Sequence, residues 1–294
     1  NIFLRRTMLS SVAALAYAPT TPLTGSRTVS AKMDLGTLTT DSKPWGADSD
    51  ISDKAGMQAL AKKLNPTVGF YDPLGIVSDE TSPETIGWFR HAEIKHGRVA
   101  MAAFVGFCVQ ANGICFPWNL QGPFAGLNSG MATISFADIS AAGGPCDQWD
   151  ALPTAAKIQI IGAVGFLEMW SETPFALANA GTKHYVRGGK PGVYPPFDGI
   201  PHPVPLNLWD PFGFTKKMSP ERKEKALLAE LNNGRLAQIG IFGMISASKG
   251  LIVPGLDSLG LPQYAGEPMA PFTEINSDLA FVPEMLKVVG TLGY

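Results

Sequence analysis

A pattern that occurs twice constrains this chain more than any other feature. The first copy reads Asp72-Pro73-Leu74-Gly75, then Ser82-Pro83-Glu84, then Glu93-Ile94-Lys95-His96-Gly97-Arg98, and runs into an apolar tail of small residues ending near Gly106. The second reads Asp210-Pro211-Phe212-Gly213, Ser219-Pro220-Glu221 and Glu230-Leu231-Asn232-Asn233-Gly234-Arg235, with its own tail to Gly243. Turn, helix start, polar cluster and tail recur in one order at nearly one spacing. Such a repeat predicts two helices related by a pseudo-two-fold axis. Each polar cluster can then supply what its copy lacks.

The charge content fits helices of this kind. Charged residues are 16% of the 294, where soluble domains carry about 25%. Glycine (32) and proline (24) are abundant, so the apolar stretches are short and separated by irregular segments. A mean hydropathy of +0.09 is low for a many-span transporter and fits a few spans joined by long loops. The net charge of −2, with no basic, aromatic-interleaved patch, predicts no nucleic-acid partner.

Charge distribution says more than its sum. No lysine or arginine occurs from Asn112 to Leu152, whereas residues 1–81 and 176–219 carry several and only Lys287 follows Lys249. Basic and basic-free segments therefore alternate across three apolar stretches, the pattern of three membrane spans. The N-terminus and the 176–219 loop would face one compartment, and the 112–152 loop and the C-terminus the other. Cys108, Cys115 and Cys146 form neither a disulfide framework nor a metal signature. They read as idle thiols, although Cys115 and Cys146 fall on the same side in this topology and could be bridged. Arg5-Arg6 before Met8–Tyr17 resembles part of a targeting sequence, with an apolar core too short to span a bilayer. Residues 1–65 thus read as an extension, either a retained targeting remnant or a docking segment.

Three helices are expected, at about 83–111, 153–172 and 220–249, within a domain covering 66–250. Ser82 and Ser219 supply caps, Pro83 and Pro220 suit the first helical position, and Glu84 and Glu221 favour the positive helix end. A helix of ~30 residues rises ~45 Å, more than the ~30 Å of hydrocarbon. It must tilt or leave its first turns among the headgroups, where Lys95 can snorkel. Small residues (Gly97, Ala100, Ala103 and Gly106; Gly234, Ala237, Gly240 and Gly243) would let the two repeated helices cross closely. Residues 251–294 form a tail, with a short amphipathic helix near 283–289. The fold class is an all-α membrane protein whose first and third spans cross.

Glu93 and Arg98 stand five apart, as do Glu230 and Arg235, which turns each pair to different sides of its helix. They pair poorly within a helix and well across a two-fold crossing, Glu93 with Arg235 and Glu230 with Arg98. Each carboxylate keeps a lone pair, and His96 and Asn233 share roughly its face. Glu168 stands on the middle helix with no basic residue nearby in sequence. Donors spread singly cannot enclose a bare ion. They could each give one axial ligand to a metal, such as magnesium, already held by a macrocycle. Two other readings stay open here: a purely structural ion-pair bundle, and a di-iron site. The latter needs a second Glu-x-x-His, where this chain has Glu230-x-x-Asn233.

Glu93–Gly106, its copy Glu230–Gly243 and the two Asp-Pro turns resemble the chlorophyll-binding light-harvesting complex superfamily over residues 66–250. The runs Asp72–Val77, Arg90–Met101 and Val109–Gly113 are most similar to the chlorophyll a/c antennae of dinoflagellates and their fucoxanthin-type relatives. The resemblance implies that Glu93, His96, Glu230, Asn233 and Glu168 bind chlorophyll magnesium, with Arg98 and Arg235 completing ion pairs. Gln159 and Gln110 would add ligands, Gln110 in place of a glutamine that plant relatives carry where this chain has Ser246-Ala247-Ser248. Gln238 reads as packing, and His91, His184 and His202 as surface or loop histidines. Asp72 and Asp210 would hold the turns beside carotenoid end groups.

The implied cofactors are chlorophyll a, chlorophyll c and carotenoids of the peridinin and diadinoxanthin type, with room for a bound lipid. The implied function is a non-catalytic antenna of the chloroplast thylakoid that passes excitation to a photosystem. Long loops and an extended N-terminus suggest docking to photosystem I and neighbouring antenna subunits. Photosystem II service and photoprotective quenching are the alternatives. A transporter would need more spans and a water-accessible polar path.

Overall fold

Local capping accounts for where the helices begin. The computed structural model describes residues 51–120, 133–197, 213–215 and 217–291, all within one compact unit, Lys43–Tyr294. Asp53 accepts the Gly56 N–H at 2.7 Å and starts α1, Lys54–Leu64. Ser82 accepts the Thr85 N–H at 3.3 Å and starts α2, Pro83–Ala111, with Glu84 in its first turn. Ser135 and Asp138 form a reciprocal capping box at the start of α3, Phe136–Ala141, and α4, Pro145–Asp150, follows. The middle helix α5 is Thr154–Glu172, and Thr173 caps the short α6, Pro174–Asn179. Helix α7, Pro220–Ser248, repeats the start of α2, with Ser219 accepting the Arg222 N–H at 3.4 Å and Glu221 in the first turn. The amphipathic α8, Val282–Thr291, ends the described chain. Among the described residues there is no strand, only an isolated antiparallel bridge between Asn119 and Ser135.

Helices α2 and α7 cross at two glycines. A Cβ on Gly97 would lie 3.0 Å from the Gly234 Cα, and a Cβ on Gly234 would lie 3.0 Å from the Gly97 Cα. The distances are reciprocal, as a pseudo-two-fold axis through the crossing requires. Further along, the Phe104 ring fills the place where a side chain at Gly240 would stand.

The remaining elements clasp the two ends of this cross. Helix α1 lies against the start of α7, joined by Lys63–Glu224 at 3.1 Å and by Asn232 Nδ2 donating to the Leu64 carbonyl at 3.2 Å. At the start of α5 the fully buried Lys157 donates to Asn276 Oδ1 at 2.8 Å, and Asn276 Nδ2 donates to Thr154 Oγ1 at 3.0 Å. Trp149 Nε1 donates to the Pro271 carbonyl at 2.9 Å, and the Tyr264 hydroxyl to Asp150 Oδ2 at 2.8 Å. The C-terminal segment is therefore strapped across α4 and α5. Burial and the Asp150 carboxylate hold the Tyr264 phenol well above its ordinary range. A small core of Trp170, Ala176 and Phe197, with Leu167 and Tyr194 packed on it, closes the other end of α5. Between those ends, every residue from Ile158 to Phe166 is exposed.

The structure has the three helices expected from charge alternation without showing that they are spans. Among the described residues no helix is long and apolar enough to cross a membrane by itself. The reason lies in the repeat: α2 carries Arg90, Glu93, Lys95 and Arg98 in its first half, α7 is charged from Glu221 to Arg235, and α5 holds Lys157, Glu168 and Glu172. The uncharged stretches of the three long helices are α2 after Arg98, α7 after Arg235 and Ile158–Leu167 of α5. Asp210 and His202 lie outside the described residues, as do residues 1–50 of the extension. All three cysteines are free thiols, so Cys115 and Cys146 are not bridged.

Candidate functional site

Four charges meet at the crossing. Arg98 Nε donates to Glu230 Oε1 at 2.6 Å, and Arg235 Nε donates to Glu93 Oε1 at 2.6 Å. Each pair is neutral, partly exposed, and joins α2 to α7. In both glutamates the bond engages one oxygen and leaves Oε2 without a protein donor among the described residues. The pairs differ in one respect. Arg98 also donates from Nη1 to the Gly192 carbonyl at 2.6 Å, which draws the loop after Arg187 onto α2. Arg98, Glu230, Ile94, Gly192, Tyr194 and Leu231 line a cavity of about 230 Å³ beside this pair.

Hydrogen bonding selects among the histidines. His96 Nδ1 lies 2.7 Å from the Ala92 carbonyl. A carbonyl only accepts, so the ring proton is on Nδ1 and the exposed Nε2 presents a lone pair. That is the tautomer a metal ligand needs, and the carbonyl fixes the ring's orientation. His91 is the opposite case. Its Nδ1 accepts the Gly192 N–H at 3.1 Å, and its ring stacks on Tyr185 at 3.7 Å. Its proton is thus on the buried Nε2, which cannot ligate. His91 is buried, which corrects the expectation of a surface or loop histidine: α2 presses it against the Tyr185–Arg187 turn. His184 is committed at both nitrogens, accepting the Val186 N–H at 3.2 Å and meeting Glu172 Oε2 at 2.5 Å. Asn233, one turn from Glu230, is exposed.

On α5, Glu168 and Glu172 occupy one face four residues apart. Lys95 of α2 reaches Glu168 Oε2 at 2.6 Å and Glu172 Oε1 at 3.9 Å. Glu172 is further engaged by His184 and by the Tyr185 hydroxyl at 3.2 Å. Glu168 has the lysine alone and keeps Oε1. Gln159 stands in the exposed middle of α5. Gln110 lines a second cavity of about 560 Å³, formed with Ala103, Phe107, Ile241 and Ile245 under the C-terminal strap. Tyr194 donates to the Leu167 carbonyl at 2.9 Å, and burial, with the Glu168 charge, pushes its phenol up to about 12.

Asp72 accepts the Val77 and Ile76 N–H groups at 2.9 and 3.0 Å. Those bonds hold its carboxyl below the usual carboxylate range. The carboxylate is spent on the turn itself and leaves Tyr71 and Leu74 projecting, 76% and 81% exposed. Sequence reasoning overlooked Gly192, whose left-handed φ of 81° left no local pattern, and the pairing of Lys95. The one trace of the latter is that the repeat breaks there: Lys95 stands two residues after Glu93, where Asn232 stands two after Glu230.

Among the described residues no three His, Cys, Asp or Glu side chains gather to hold a metal ion. The carboxylate-bridged di-iron arrangement is thus absent among them. What remains is a set of single donors: a charge-neutral carboxylate oxygen at three places, one imidazole lone pair and three amides. Such a set suits metals that arrive already held by a macrocycle. A family model described as Chlorophyll A-B binding protein matches residues 57–249.

The chain belongs to this family.

Its relatives bear that out. The fucoxanthin-chlorophyll a-c binding protein F of Phaeodactylum tricornutum is 33% identical over 184 residues, covering 63% of this chain and 76% of the relative. The fucoxanthin-chlorophyll a-c binding protein of Trieres chinensis is 35% identical over 181 residues, 61% of this chain and 73% of its own. Protein D of Macrocystis pyrifera is 32% identical over 178 residues, 60% and 79% respectively. All three are described as chloroplastic. The family is one of light-harvesting, pigment-binding proteins and is not enzymatic.

Proposed function

We propose that this chain is a three-span antenna subunit of the thylakoid that holds chlorophyll a, chlorophyll c and carotenoids for a photosystem. The observation that carries the reading is the pair of neutral Glu–Arg bridges at the crossing, each with a carboxylate oxygen to spare. Helices α2 and α7 rise ~43 Å and α5 rises ~28 Å, against ~30 Å of hydrocarbon. Charge at membrane depth is tolerated where it is paired, and the crossing pairs supply that. The uncovered middle of α5 and the projecting Leu236, Ile239 and Phe242 of α7, 69%, 72% and 75% exposed, suit a surface of pigment and lipid.

Glu93, Glu230 and Glu168 would each give an oxygen to magnesium, His96 its Nε2, and Asn233, Gln159 and Gln110 an amide oxygen. Asp72 would hold a turn against a carotenoid end ring, and Asp210 its counterpart. Bound chlorophyll supplies the absorption and the excitation transfer. The protein supplies fixed separations, because helices locked by glycine contact and ion pairs give pigments little freedom to move. Photosystem I is the favoured partner, and peridinin with diadinoxanthin the favoured carotenoids. Reconstitution of the chain with extracted plastid pigments in detergent tests the reading. A stable complex with several chlorophylls and carotenoids, and energy transfer from chlorophyll c to chlorophyll a, is the expected result. A folded chain that retains no chlorophyll would overturn it. Fractionation with photosystem II rather than photosystem I would redirect only the partner.

A further inference from the structure

The two halves of the repeat differ in fixed charge at one position inside the polar cluster, Lys95 against Asn232, and the structure shows what each residue meets there. Two residues after Glu230, Asn232 donates its amide N–H to the Leu64 carbonyl, at the end of α1. Two residues after Glu93, Lys95 meets carboxylates of α5. Helix α1 presents a neutral acceptor to the one copy, for which an amide donor suffices. Helix α5 presents an anion to the other, and there a cation stands.

We propose that Lys95 is the counter-cation that makes Glu168 a magnesium ligand, forming a third interhelical neutral pair beside the two arginine pairs. This rests on the pigment-binding reading and deepens it. Lys95 acts through Glu168 and is thus a positioning residue. The two carboxylates it faces have different fates. Glu172 is held by His184, by the Tyr185 hydroxyl and, at longer range, by the lysine, so it has no oxygen to offer. Glu168 is bound at Oε2 alone, at 2.6 Å, which neutralises it, aims it and leaves Oε1. Without the ammonium, Glu168 would be an uncompensated anion on an apolar, uncovered helix. It would turn to solvent and lose its aim as a donor. An ammonium on four methylenes also bridges from α2 to α5, a span that a short polar residue could not make.

Pigment stoichiometry after reconstitution tests this with four variants. Lys95→Met should bind one chlorophyll fewer per chain than the wild type, with the matching loss in absorption and circular dichroism. Lys95→Arg should restore the wild-type count and spectrum. Glu168→Gln should keep the pigment, since an amide oxygen ligates without a counter-cation. The double variant Lys95→Met with Glu168→Gln should keep it as well. That last result separates a positioning role from a purely structural tie, because the double variant has no ion pair at all. Full pigment in Lys95→Met would overturn the proposal, as would a double variant that loses as much as Lys95→Met. Glu168→Leu distinguishes the two levels of failure: an unchanged count there would overturn Glu168 as a ligand, and the role of Lys95 with it. His96→Leu serves as the control in which a chlorophyll is lost independently of α5.

Discussion

Gly97 and Gly234 approach so closely that a methyl group on either would stand 3.0 Å from the other's Cα. The clash is with backbone, so it cannot be relieved by a side-chain rotation. Gly97→Ala and Gly234→Ala should each lower the stability of the pigmented complex by about 1–3 kcal/mol, the usual cost of overpacking. Because both push on one contact, the double variant should cost less than the sum. Gly106→Ala is the contrast, since nothing lies within 4 Å of its Cβ position. Thermal melts followed by chlorophyll circular dichroism would check all four. A Gly97→Ala melt equal to wild type would mean the helices do not cross here.

The ion pairs join the same two helices more strongly. Arg235→Leu leaves Glu93 charged and unpaired, and breaking such a pair costs about 3 kcal/mol, the low end for buried pairs because these side chains are only partly buried. The loss should exceed that of His96→Leu. Adding Glu93→Gln to Arg235→Leu should recover part of it, because the uncompensated charge is gone and the amide can still approach magnesium. A double variant no more stable than the single one would contradict the bond seen at 2.6 Å.

Tautomer decides which histidine matters to pigment. His96→Leu should remove one chlorophyll from a folded complex, because the Ala92 carbonyl holds the proton on Nδ1. His91→Leu should remove none, since its Nδ1 is taken by the Gly192 N–H and its other nitrogen bears the proton. It should instead loosen the loop. Equal losses of chlorophyll from both variants would show that hydrogen bonding is not what selects the ligand.

Much of this arrangement was legible in the sequence, and what was not has a physical cause. Ser82-Pro83-Glu84 and Ser219-Pro220-Glu221 announce helix starts because capping is a local matter, settled within four residues. The crossing was legible because the repeat doubles every clue, and a five-residue spacing of Glu and Arg cannot close on its own helix. Partners far apart in the chain were not legible. Nothing near Lys157 points to Asn276, and nothing near Lys95 points to Glu168. Helices as short as α3 and α4 leave no periodicity to read, only a capping box at Ser135 and Asp138. Charge alternation suggested three spans, and helix apolarity does not show them, because the helices carry charges within their own length.

Gly192 concentrates several constraints in one residue. Its φ is 81°, its carbonyl accepts Arg98 Nη1 at 2.6 Å, and its N–H donates to His91 at 3.1 Å. A Cβ there would stand 2.9 Å from Ile94 Cγ2 and 3.4 Å from Arg98 Nη2. Gly192→Ala therefore forces a left-handed alanine, costing about 1–2 kcal/mol, and also pushes on the residue that bridges to Glu230. The loop should lift from α2 and lose both bonds, while Arg98 keeps its bond to Glu230 through Nε. The expected outcome is a melt lowered by about 4–8 °C, taking roughly 2 kcal/mol at 2–4 °C per kcal/mol for a chain of this size. Chlorophyll count should be retained, since no ligand is removed, while the pigment spectrum shifts as the loop beside Glu230 moves. An unchanged melt and spectrum would show that the loop is not anchored through this glycine.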